Sequence, residues 1–464
     1  MRIIILGAGQ VGFTVANNLA HEDIDITLVD TDQSVINAAC EHLDIATICG
    51  NATHPDVLES AGIKQADMII AATDSDECNI MACQIAHHLF QVPKKIARIR
   101  AQAFLKVKDQ LFNSETIPID VIINPEEEIV EFIKSLILHP GAQQVLSFAD
   151  DSLSLVETNV KAGHEIIGSS LKEMTQMLGG LEARIAAIFR NGSIVIPNFD
   201  TEVQAGDRLF FIAPSKDIQE VLRIIFNQNK HYKSVTIAGG GRIGLGLAKA
   251  LENELQVKII TKSPDKAHRL SEQLDNTIVL SGDATDEALL LDENIDRTDV
   301  FCTVTNDDET NILCAMLAKS LGAQTVMSLV DRTAYMSLVD NGSIDNAIYP
   351  QHTTIGRILT LIRRGSISRV HSLLRGKAEA FEATIQDNGT KSTIAGKQIK
   401  DIKLPASAII IGVVREGQPI LAKNELILIG GDHVIVFVTD KTTIRTVEAL
   451  FQPPKSLIGK LNAL

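Results

Sequence analysis

The sequence predicts an α/β protein with two tandem Rossmann-like, doubly wound parallel sheets, each followed by an amphipathic crossover helix and a small β-rich α+β domain. The first observation is a repeated glycine motif: Gly7-Ala8-Gly9-Gln10-Val11-Gly12 recurs as Gly239-Gly240-Gly241-Arg242-Ile243-Gly244, 232 residues later (239 minus 7). The second is that the same spacing relates a longer set of residues: Gly50, Ala52, Thr53, Thr73, Asp76, Glu77 and Asn79 correspond to Gly282, Ala284, Thr285, Thr305, Asp308, Glu309 and Asn311. A chance match would not bring these residues along, so the chain is a tandem duplication.

Each half begins with alternating strand and helix patterns. In the first half, apolar runs predict strands over residues 2–6, 24–29, 45–49, 68–72, 95–99 and 121–123, and helical periodicity predicts helices over 11–20, 35–42, 55–61 and 77–90. Asp76 is expected to cap the last of these helices. Alternating βα units of this length require a parallel sheet with helices on both faces.

Beyond Pro125 the pattern changes to one amphipathic helix, over residues 126–139, and then to short strands. The β-type runs span residues 152–156, 183–189, 193–196 and 207–213, and a helix near 217–226 follows them. Asn191-Gly192 and its second-half counterpart Glu416-Gly417 indicate hairpin turns. A second crossover helix is predicted over residues 353–362. We therefore predict domains over residues 1–124, 144–228, 232–350 and 368–453, with a hinge at 227–233.

Composition excludes several classes of function. The 464-residue chain has a net charge of −15, which argues against nucleic acid as a partner. Trp is absent and aromatic residues are 4%, so base-stacking platforms are not expected. No apolar run approaches the roughly 20 residues of a membrane span. The six cysteines are scattered, with no CxxC, which fits reduced thiols in the cytoplasm.

The first glycine motif predicts a dinucleotide site. Gly7 permits a tight turn, Gly9 lets the backbone approach a pyrophosphate, and Gly12 permits close helix–strand packing, while Ala8, Gln10 and Val11 complete the loop at the helix N-terminus. Asp30 ends the second strand, 18 residues after Gly12. A carboxylate there can accept both ribose hydroxyls and repels a 2′-phosphate, so the site should prefer NAD(H) to NADP(H). The alternative is a structural turn that no longer binds a ligand.

The second copy keeps its phosphate loop and loses the acid. Gly239, Gly241, Arg242, Ile243 and Gly244 form the loop. The 232-residue spacing places Lys262 where Asp30 stands in the first copy, and Thr261 precedes it. Such a site favours a ligand with more negative charge, ATP or ADP. A weak site, or a purely structural one, is the alternative.

Polar residues follow the third and fourth strands of each copy, where parallel sheets place ligand contacts. Candidate contacts are Asn51, Ala52, Thr53 and Thr73 in the first copy, and Asp283 and Thr305 in the second. A turn-forming role is equally compatible with Asn51. Arg98, on the fifth strand, has Leu329 as its counterpart. Its side chain could contact a ligand phosphate, contact a neighbouring subunit, or form a salt bridge on the surface.

The acidic runs Asp74-Ser75-Asp76-Glu77 and Asp307-Asp308-Glu309 resemble a metal cluster, but acids at a helix start more often bind its free N–H groups. No HExxH or GxSxG motif is present, and no general base stands out. The chain is therefore not expected to be an enzyme. The rival hypothesis is an NAD-dependent dehydrogenase with a β-rich substrate domain. A third is a sensor whose main ligand binds the β-rich domains, although no motif there identifies a ligand.

The two crossover segments carry opposite charge. Glu126, Glu127, Glu128 and Glu131 lie in the first, whereas residues 346–378 contain no acid. The basic residues of that second segment are Arg357, Arg363, Arg364, Arg369, Arg375 and Lys377. We expect either pairing between the helices or docking of the basic segment on an acidic partner; a solvated surface is the third possibility.

These motifs, with the Thr305-Asn306-Asp307-Asp308-Glu309 run and the Gly-Gly-Asp turn at 430–432, resemble the RCK family, regulators of potassium conductance. In particular, the whole chain resembles the tandem RCK subunits of bacterial Trk-type potassium uptake systems. The resemblance implies NAD(H) and adenine-nucleotide binding without catalysis. It also implies a homo-oligomeric ring, a dimer or tetramer, in the cytoplasm. That ring would be peripheral on the inner face of the membrane, beneath a membrane potassium-translocating subunit of Trk type whose activity it sets.

Overall fold

A computed structural model describes residues 1–20, 24–226, 231–335, 339, 344–362, 367–386 and 394–451. The chain divides into two compact units. The first contains residues 1–129 and 349–358, and the second contains residues 130–348 and 359–464. Within the described ranges, no helix is both long and apolar enough to cross a membrane.

The first unit is built around a parallel sheet with strand order β3-β2-β1-β4-β5-β6. Its strands are β1 (Arg2–Leu6), β2 (Asp25–Asp30), β3 (Ala46–Cys49), β4 (Met68–Ala71), β5 (Lys94–Arg98) and β6 (Val121–Ile123). The connecting helices are α1 (Gln10–Leu19), α2 (Gln33–His42), α3 (Pro55–Ser60), α4 (Asp76–His88), α5 (Gln102–Leu105) and α6 (Lys108–Leu111). The strands β2 and β3 lie on one side of β1, and β4, β5 and β6 lie on the other, so the strand order switches between β1 and β4. Parallel sheets of this kind bind ligands at that switch point.

The crossover helix α7 (Pro125–Leu138) leads into an antiparallel sheet of order β10-β9-β11-β8-β7. Its strands are β7 (Ala142–Phe148), β8 (Leu153–Asn159), β9 (Arg184–Arg190), β10 (Ser193–Val195) and β11 (Arg208–Pro214), and its helices are α8 (Leu171–Met177) and α9 (Ile218–Phe226). Asn191 and Gly192 both have positive φ, 50° and 82°, and join β9 to β10 in the predicted hairpin. The sequence patterns did not predict β7 or α8.

The second parallel sheet repeats the first, with order β14-β13-β12-β15-β16-β17. Its strands are β12 (Ser234–Ala238), β13 (Gln256–Thr261), β14 (Thr277–Ser281), β15 (Val300–Thr303), β16 (Thr325–Leu329) and β17 (Asn346–Ile348). Its helices are α10 (Arg242–Leu251), α11 (Pro264–Ser271), α12 (Glu287–Asp292) and α13 (Asp308–Ser320). The predicted fold class, two doubly wound sheets in tandem, is confirmed.

The second crossover helix, α14 (Pro350–Ile362), precedes a sheet of order β18-β19-β22-β20-β21. Its strands are β18 (Ile367–Leu373), β19 (Ala378–Thr384), β20 (Ala408–Arg415), β21 (Gln418–Leu421) and β22 (His433–Val438), and α15 (Ile444–Phe451) packs beside it. Glu416 and Gly417, with φ of 52° and 76°, form its hairpin turn. Residues 227–230 of the predicted hinge, and Arg363 and Arg364, lie outside the described residues.

The two β-rich subdomains share one hydrophobic core within the second unit. Buried side chains from β7, β8, β9 and β11 of the first subdomain and from β18, β19, β20 and β22 of the second belong to a single cluster. Within it the rings of Phe210 and Phe437 are 5.6 Å apart. Gly412 lies at this contact, where a side chain would not fit: an added Cβ would lie 2.8 Å from a Leu153 methyl group. The sequence patterns placed the two subdomains in separate halves and gave no sign that they pack together.

Candidate functional site

The first glycine loop joins β1 to α1 in a conformation that requires its glycines. Gly7 has a φ of +94°, and a Cβ there would lie 2.9 Å from the backbone of Ala72. A Cβ on Gly12 would lie 1.8 Å from the carbonyl oxygen of Gly7, so the helix can approach the turn only without a side chain. Gly9 has open space around it and is the N-cap of α1, with no side chain capping the helix. The first amides of α1 can therefore donate to a phosphate.

The second loop, between β12 and α10, has the same geometry. Gly239 has a φ of +127°, and a Cβ on Gly244 would lie 1.9 Å from the Gly239 carbonyl oxygen. Gly241 is open on its outer side and is the N-cap of α10, again without a side-chain cap. Arg242 and Ile243 occupy the first turn of α10, as Gln10 and Val11 do in α1. Both copies thus retain the backbone features of a phosphate cradle.

Asp30 lies at the end of β2, beside the first glycine loop. Its Oδ2 accepts a hydrogen bond from the Ala8 amide at 2.6 Å, and its Oδ1 accepts one from the Asp32 amide at 2.9 Å. The carboxylate is only partly buried. It therefore stands where the sequence predicted a ribose acceptor, adjacent to the backbone that would hold the pyrophosphate.

The counterpart of Asp30 in the second copy is Thr261, and the assignment of Lys262 to that position is wrong. Strand pairing sets Leu6 opposite Val29 in the first sheet and Ala238 opposite Ile260 in the second, so the next residues, Asp30 and Thr261, are equivalent. The reason is a loop one residue shorter between α10 and β13 than between α1 and β2, so the 232-residue spacing becomes 231 here (261 minus 30). Thr261 is buried, and it supplies no negative charge.

Lys262 and Asp283 form an ion pair at the edge of the second site. Lys262 Nζ lies 2.9 Å from Asp283 Oδ2, and the hydrogen bond with Asp283 raises the pKa of Lys262. Asp283 Oδ1 accepts hydrogen bonds from the amide and hydroxyl of Thr285, at 2.9 and 2.7 Å. Lys262 is therefore a paired cation, and its partner is the counterpart of Asn51.

In the first copy, Asn51 forms the same turn without charge. Its Oδ1 accepts hydrogen bonds from the amide and hydroxyl of Thr53, at 2.9 and 2.8 Å, and Ala52 between them is buried. The turn-forming role considered for Asn51 is thus the one the structure shows. The second site therefore differs from the first in two ways. Thr261 stands where the first site has Asp30, and the ion pair of Lys262 and Asp283 stands where the first site has Thr31 and Asn51.

Thr73 is tied to the fifth strand through a buried asparagine. The hydroxyl and amide of Thr73 donate to Asn79 Oδ1, at 2.7 and 2.9 Å, while Asn79 Nδ2 donates to the carbonyl oxygen of Arg98 at 2.9 Å. The second copy repeats this network with Thr305, Asn311 and Leu329.

Asn79 and Asn311 are fully buried. Site reasoning missed them, although both stand in the run of residues that the duplication repeats. The network confirms that Leu329 is the counterpart of Arg98. The Arg98 side chain is half-buried at the end of β5, and its contact with a ligand stays a prediction.

The acids at the start of α4 have structural roles, and the expected cap is wrong. Ser75, not Asp76, caps the helix by accepting from the Cys78 amide at 3.1 Å. Asp76 Oδ2 instead accepts from the amides of Arg100 and Ala101, at 2.9 and 2.7 Å.

Asp308 does the same for Asp331 and Arg332 in the second copy, where Asp307 caps α13. Among the described residues, no group of three or more His, Cys, Asp and Glu side chains could hold a metal ion.

The basic segment is partly used within the chain. Arg357 lies 3.2 Å from Glu128, so the two crossover helices share an ion pair. Arg369 donates to the Ser147 carbonyl oxygen at 2.7 Å, and the Lys377 ammonium lies 5.7 Å from the ring centre of Phe189. The arginines at 363 and 364 lie beyond the described part, and nothing is described of the Arg375 side chain.

The fold and its two loops define a class: a tandem nucleotide-binding protein in which each Rossmann-like domain is paired with a β-rich subdomain. The TrkA-N domain matches residues 3–125 and 235–350, and the TrkA-C domain matches residues 155–225 and 389–452. The chain belongs to the TrkA family of Trk system potassium uptake proteins. This family consists of potassium uptake proteins, which sets aside the dehydrogenase alternative.

Two relatives match nearly end to end. The Trk system potassium uptake protein TrkA of Halomonas elongata is 47% identical over 97% of this chain and 99% of its own length. The protein of the same name from Vibrio alginolyticus is 45% identical over 98% and 99%.

Among solved structures, the GsuK channel bound to NAD is similar with a TM-score of 0.61 at 18% identity, covering 97% of this chain and 79% of that one. The GsuK RCK domain has a TM-score of 0.60 at 19% identity, covering 97% and 94%. At these identities the likeness concerns the fold, which is that of RCK domains.

Proposed function

We propose that this protein is the nucleotide-sensing regulatory subunit of a Trk-type potassium uptake system, and that its first site binds NAD(H). The observation that carries the proposal is the placement of the Asp30 carboxylate against the Ala8 amide, beside an uncapped helix N-terminus. A dinucleotide would place its pyrophosphate on the α1 amides and its ribose hydroxyls on Asp30. The NAD named for the GsuK channel, which has the same fold, is compatible with this assignment.

The second site is proposed to bind ATP or ADP rather than NADH. Thr261 cannot accept two ribose hydroxyls as a carboxylate does, whereas the Gly239 loop still presents its amides to phosphate. Lys262 is about two-thirds exposed and can leave Asp283 to reach a phosphate, because an exposed ion pair contributes only ~0–1 kcal/mol. The additional phosphate charge of ADP or ATP would compete with the Asp283 carboxylate for the ammonium group.

Regulation then follows from differential binding. A nucleotide can shift the protein between two arrangements only by the difference in its affinity for them. We propose that the chain forms a homo-oligomeric ring, a dimer or tetramer, in the cytoplasm. This ring would lie peripherally on the inner face of the membrane and transmit the shift to the membrane potassium-translocating subunit.

The proposed domains remain residues 1–124, 144–228, 232–350 and 368–453.

Isothermal titration of NAD⁺, NADH, ATP and ADP into the full chain tests the ligands. Asp30→Ala should weaken NADH binding by about 1–3 kcal/mol, because ribose hydroxyls lose their acceptor. Asp25→Ala is the matched control: it removes the same charge from the opposite, exposed end of β2. Unchanged NADH affinity in Asp30→Ala would refute the first site. Multiple-turnover oxidation of NADH by the wild type with any substrate would refute the regulatory assignment.

A further inference from the structure

The first β-rich subdomain contains a cavity that the nucleotide sites do not use. It lies among α8, α9 and β9 and has a volume of about 490 Å³. Residues 421–425 of the second β-rich subdomain close one side of it. This volume falls within the range of roughly 300–1,000 Å³ that is usual for small-molecule sites.

The wall of the cavity is apolar and aromatic. Met174, Leu178, Phe211 and Phe226 line it with side chains that are almost completely buried. Phe199 also lines it but is 71% exposed, more than any other large apolar side chain in the described part of the chain. An exposed aromatic ring at the mouth of an apolar cavity is a feature that a bound apolar group would cover.

Three charged residues line the cavity: Arg184 in its wall, and the exposed Lys423 and Glu425 on the side formed by the second β-rich subdomain. Arg184 is half-buried, and its guanidinium donates to the Ala422 carbonyl oxygen at 2.5 Å. Across the described residues, no carboxylate oxygen lies within 4.0 Å of this guanidinium. Burial lowers the pKa of Arg184, because the cation loses hydration.

Three lining residues, Arg184, Phe199 and Phe211, are not repeated in the second copy, although the framework is. The spacing between the β-rich subdomains is 225 residues (Asp432 minus Asp207), which makes Ile409 the counterpart of Arg184. By the same spacing, Val436 replaces Phe211 and Asn424 replaces Phe199. The fold therefore does not require the cation or the aromatic rings at these positions, and a packing role alone does not account for them.

We propose that this cavity binds an amphiphilic monoanion, with its apolar body against Phe211 and Phe226 and its anionic group on Arg184. A guanidinium group can donate two parallel N–H bonds to a carboxylate. One of these donors is bonded to the Ala422 carbonyl oxygen in the structure and would change partner when the anion binds. Phe199 would fold over the apolar end. The site is separate from both glycine loops, so its occupancy does not depend on the nucleotide assignment.

Decanoate and its uncharged analogue decan-1-ol are the probes, titrated into the full chain by calorimetry. Wild type should bind one decanoate, and more tightly than decanol. Arg184→Met should weaken decanoate at least tenfold and leave decanol unchanged. Arg223→Met is the control, since it removes an exposed arginine of α9 that pairs with Glu220 and does not line the cavity.

A fluorescent reporter gives a second measurement that does not need Arg184 to be altered. The chain contains no Trp, so Phe199→Trp places a single tryptophan at the mouth. Saturable blue-shift of its emission by decanoate supports the proposal. Absence of saturable decanoate binding in both measurements overturns it, as does equal affinity for decanol. Co-sedimentation with phosphatidylglycerol vesicles is a further test. If the wild type co-sediments and Arg184→Met does not, Arg184 binds a lipid headgroup, and the proposed site for a free ligand is overturned.

Discussion

A guanidinium nitrogen of Arg357 lies 3.2 Å from Glu128 Oε1, which joins the two crossover helices α14 and α7 inside the first compact unit. Glu128 is mostly buried, with 16% of its side chain exposed. Desolvation raises the pKa of Glu128 to about 7, although Arg357 acts in the opposite direction. The opposite charges of the two helices are therefore satisfied, at least in part, within one chain.

We expect this carboxylate to make stability pH-dependent near neutrality. Its pKa is raised in the folded state to about 7 from 4.5, so the folded protein retains a proton that the unfolded chain releases. Stability is then highest below pH 4.5 and falls as the pH rises through 7, by at most about 3 kcal/mol from this group. Glu128→Gln should remove that decline, which thermal melts at pH 5 and pH 8 would measure. Glu131→Gln, an exposed acid on the same helix, is the control. An identical pH profile for Glu128→Gln and wild type would contradict the burial.

Thr261→Asp should transfer NADH binding to the second site. The substitution restores a carboxylate at the end of β13, where strand pairing shows the counterpart of Asp30. In an Asp30→Ala background, calorimetry should show NADH binding regained by about 1–3 kcal/mol, because the ribose recovers an acceptor. Thr261→Asn supplies a similar shape without the charge. If both variants bind NADH equally, the missing acid is not what distinguishes the two sites.

Two buried Arg–Asp pairs should support the shared β-rich core. Asp207 accepts two hydrogen bonds from Arg190, both at 2.7 Å, and Asp432 accepts two from Arg415 at 2.8 and 2.9 Å. Both carboxylates are almost fully buried.

Asp207→Asn should destabilise the protein by about 3 kcal/mol, since removing one partner of a buried pair leaves the other without compensation. Denaturant unfolding followed by far-UV circular dichroism measures this, with the exposed Asp200→Asn as control. Because both subdomains belong to one core, Asp432→Asn should lower the same transition. Two separate transitions, each moved by only one variant, would argue against a shared core.

Reversal of Arg363 and Arg364 to Glu should weaken ring assembly or binding to the membrane subunit. Both arginines belong to the basic segment, in which Arg357 and Arg369 have partners within the chain. Charges at the rim of an interface set orientation and association rate, and salt screens them. Sedimentation velocity and a pull-down at 50 and 500 mM salt would detect the loss, expected to be greatest at low salt. Equal assembly and partner binding at both concentrations would mean that these arginines are simply solvated.

The duplication, both parallel sheets, the crossover helices and the two hairpin turns could all be predicted from the sequence. Glycine motifs and period-specific apolar patterns are local, and local patterns survive folding with little change. The Asp30 position followed from the same reasoning, because a residue at the end of β2 must lie near the loop after β1. The predictions that failed depended on details smaller than one turn: Asp76 was expected to cap α4, but Ser75 does, because Asp76 is needed by the amides of Arg100 and Ala101.

The sequence by itself determined the repeated architecture and the position of Asp30 beside the first glycine loop, because motif, spacing and residue type are enough to specify them. Only the tertiary structure decided that Thr261 rather than Lys262 matches Asp30, since a single-residue loop difference is visible only in strand register. It also decided that Lys262 pairs with Asp283, that Glu128 pairs with Arg357, and that Phe210 and Phe437 lie in one core. These contacts join residues 21, 229 and 227 positions apart, and no local pattern encodes which distant side chains will meet.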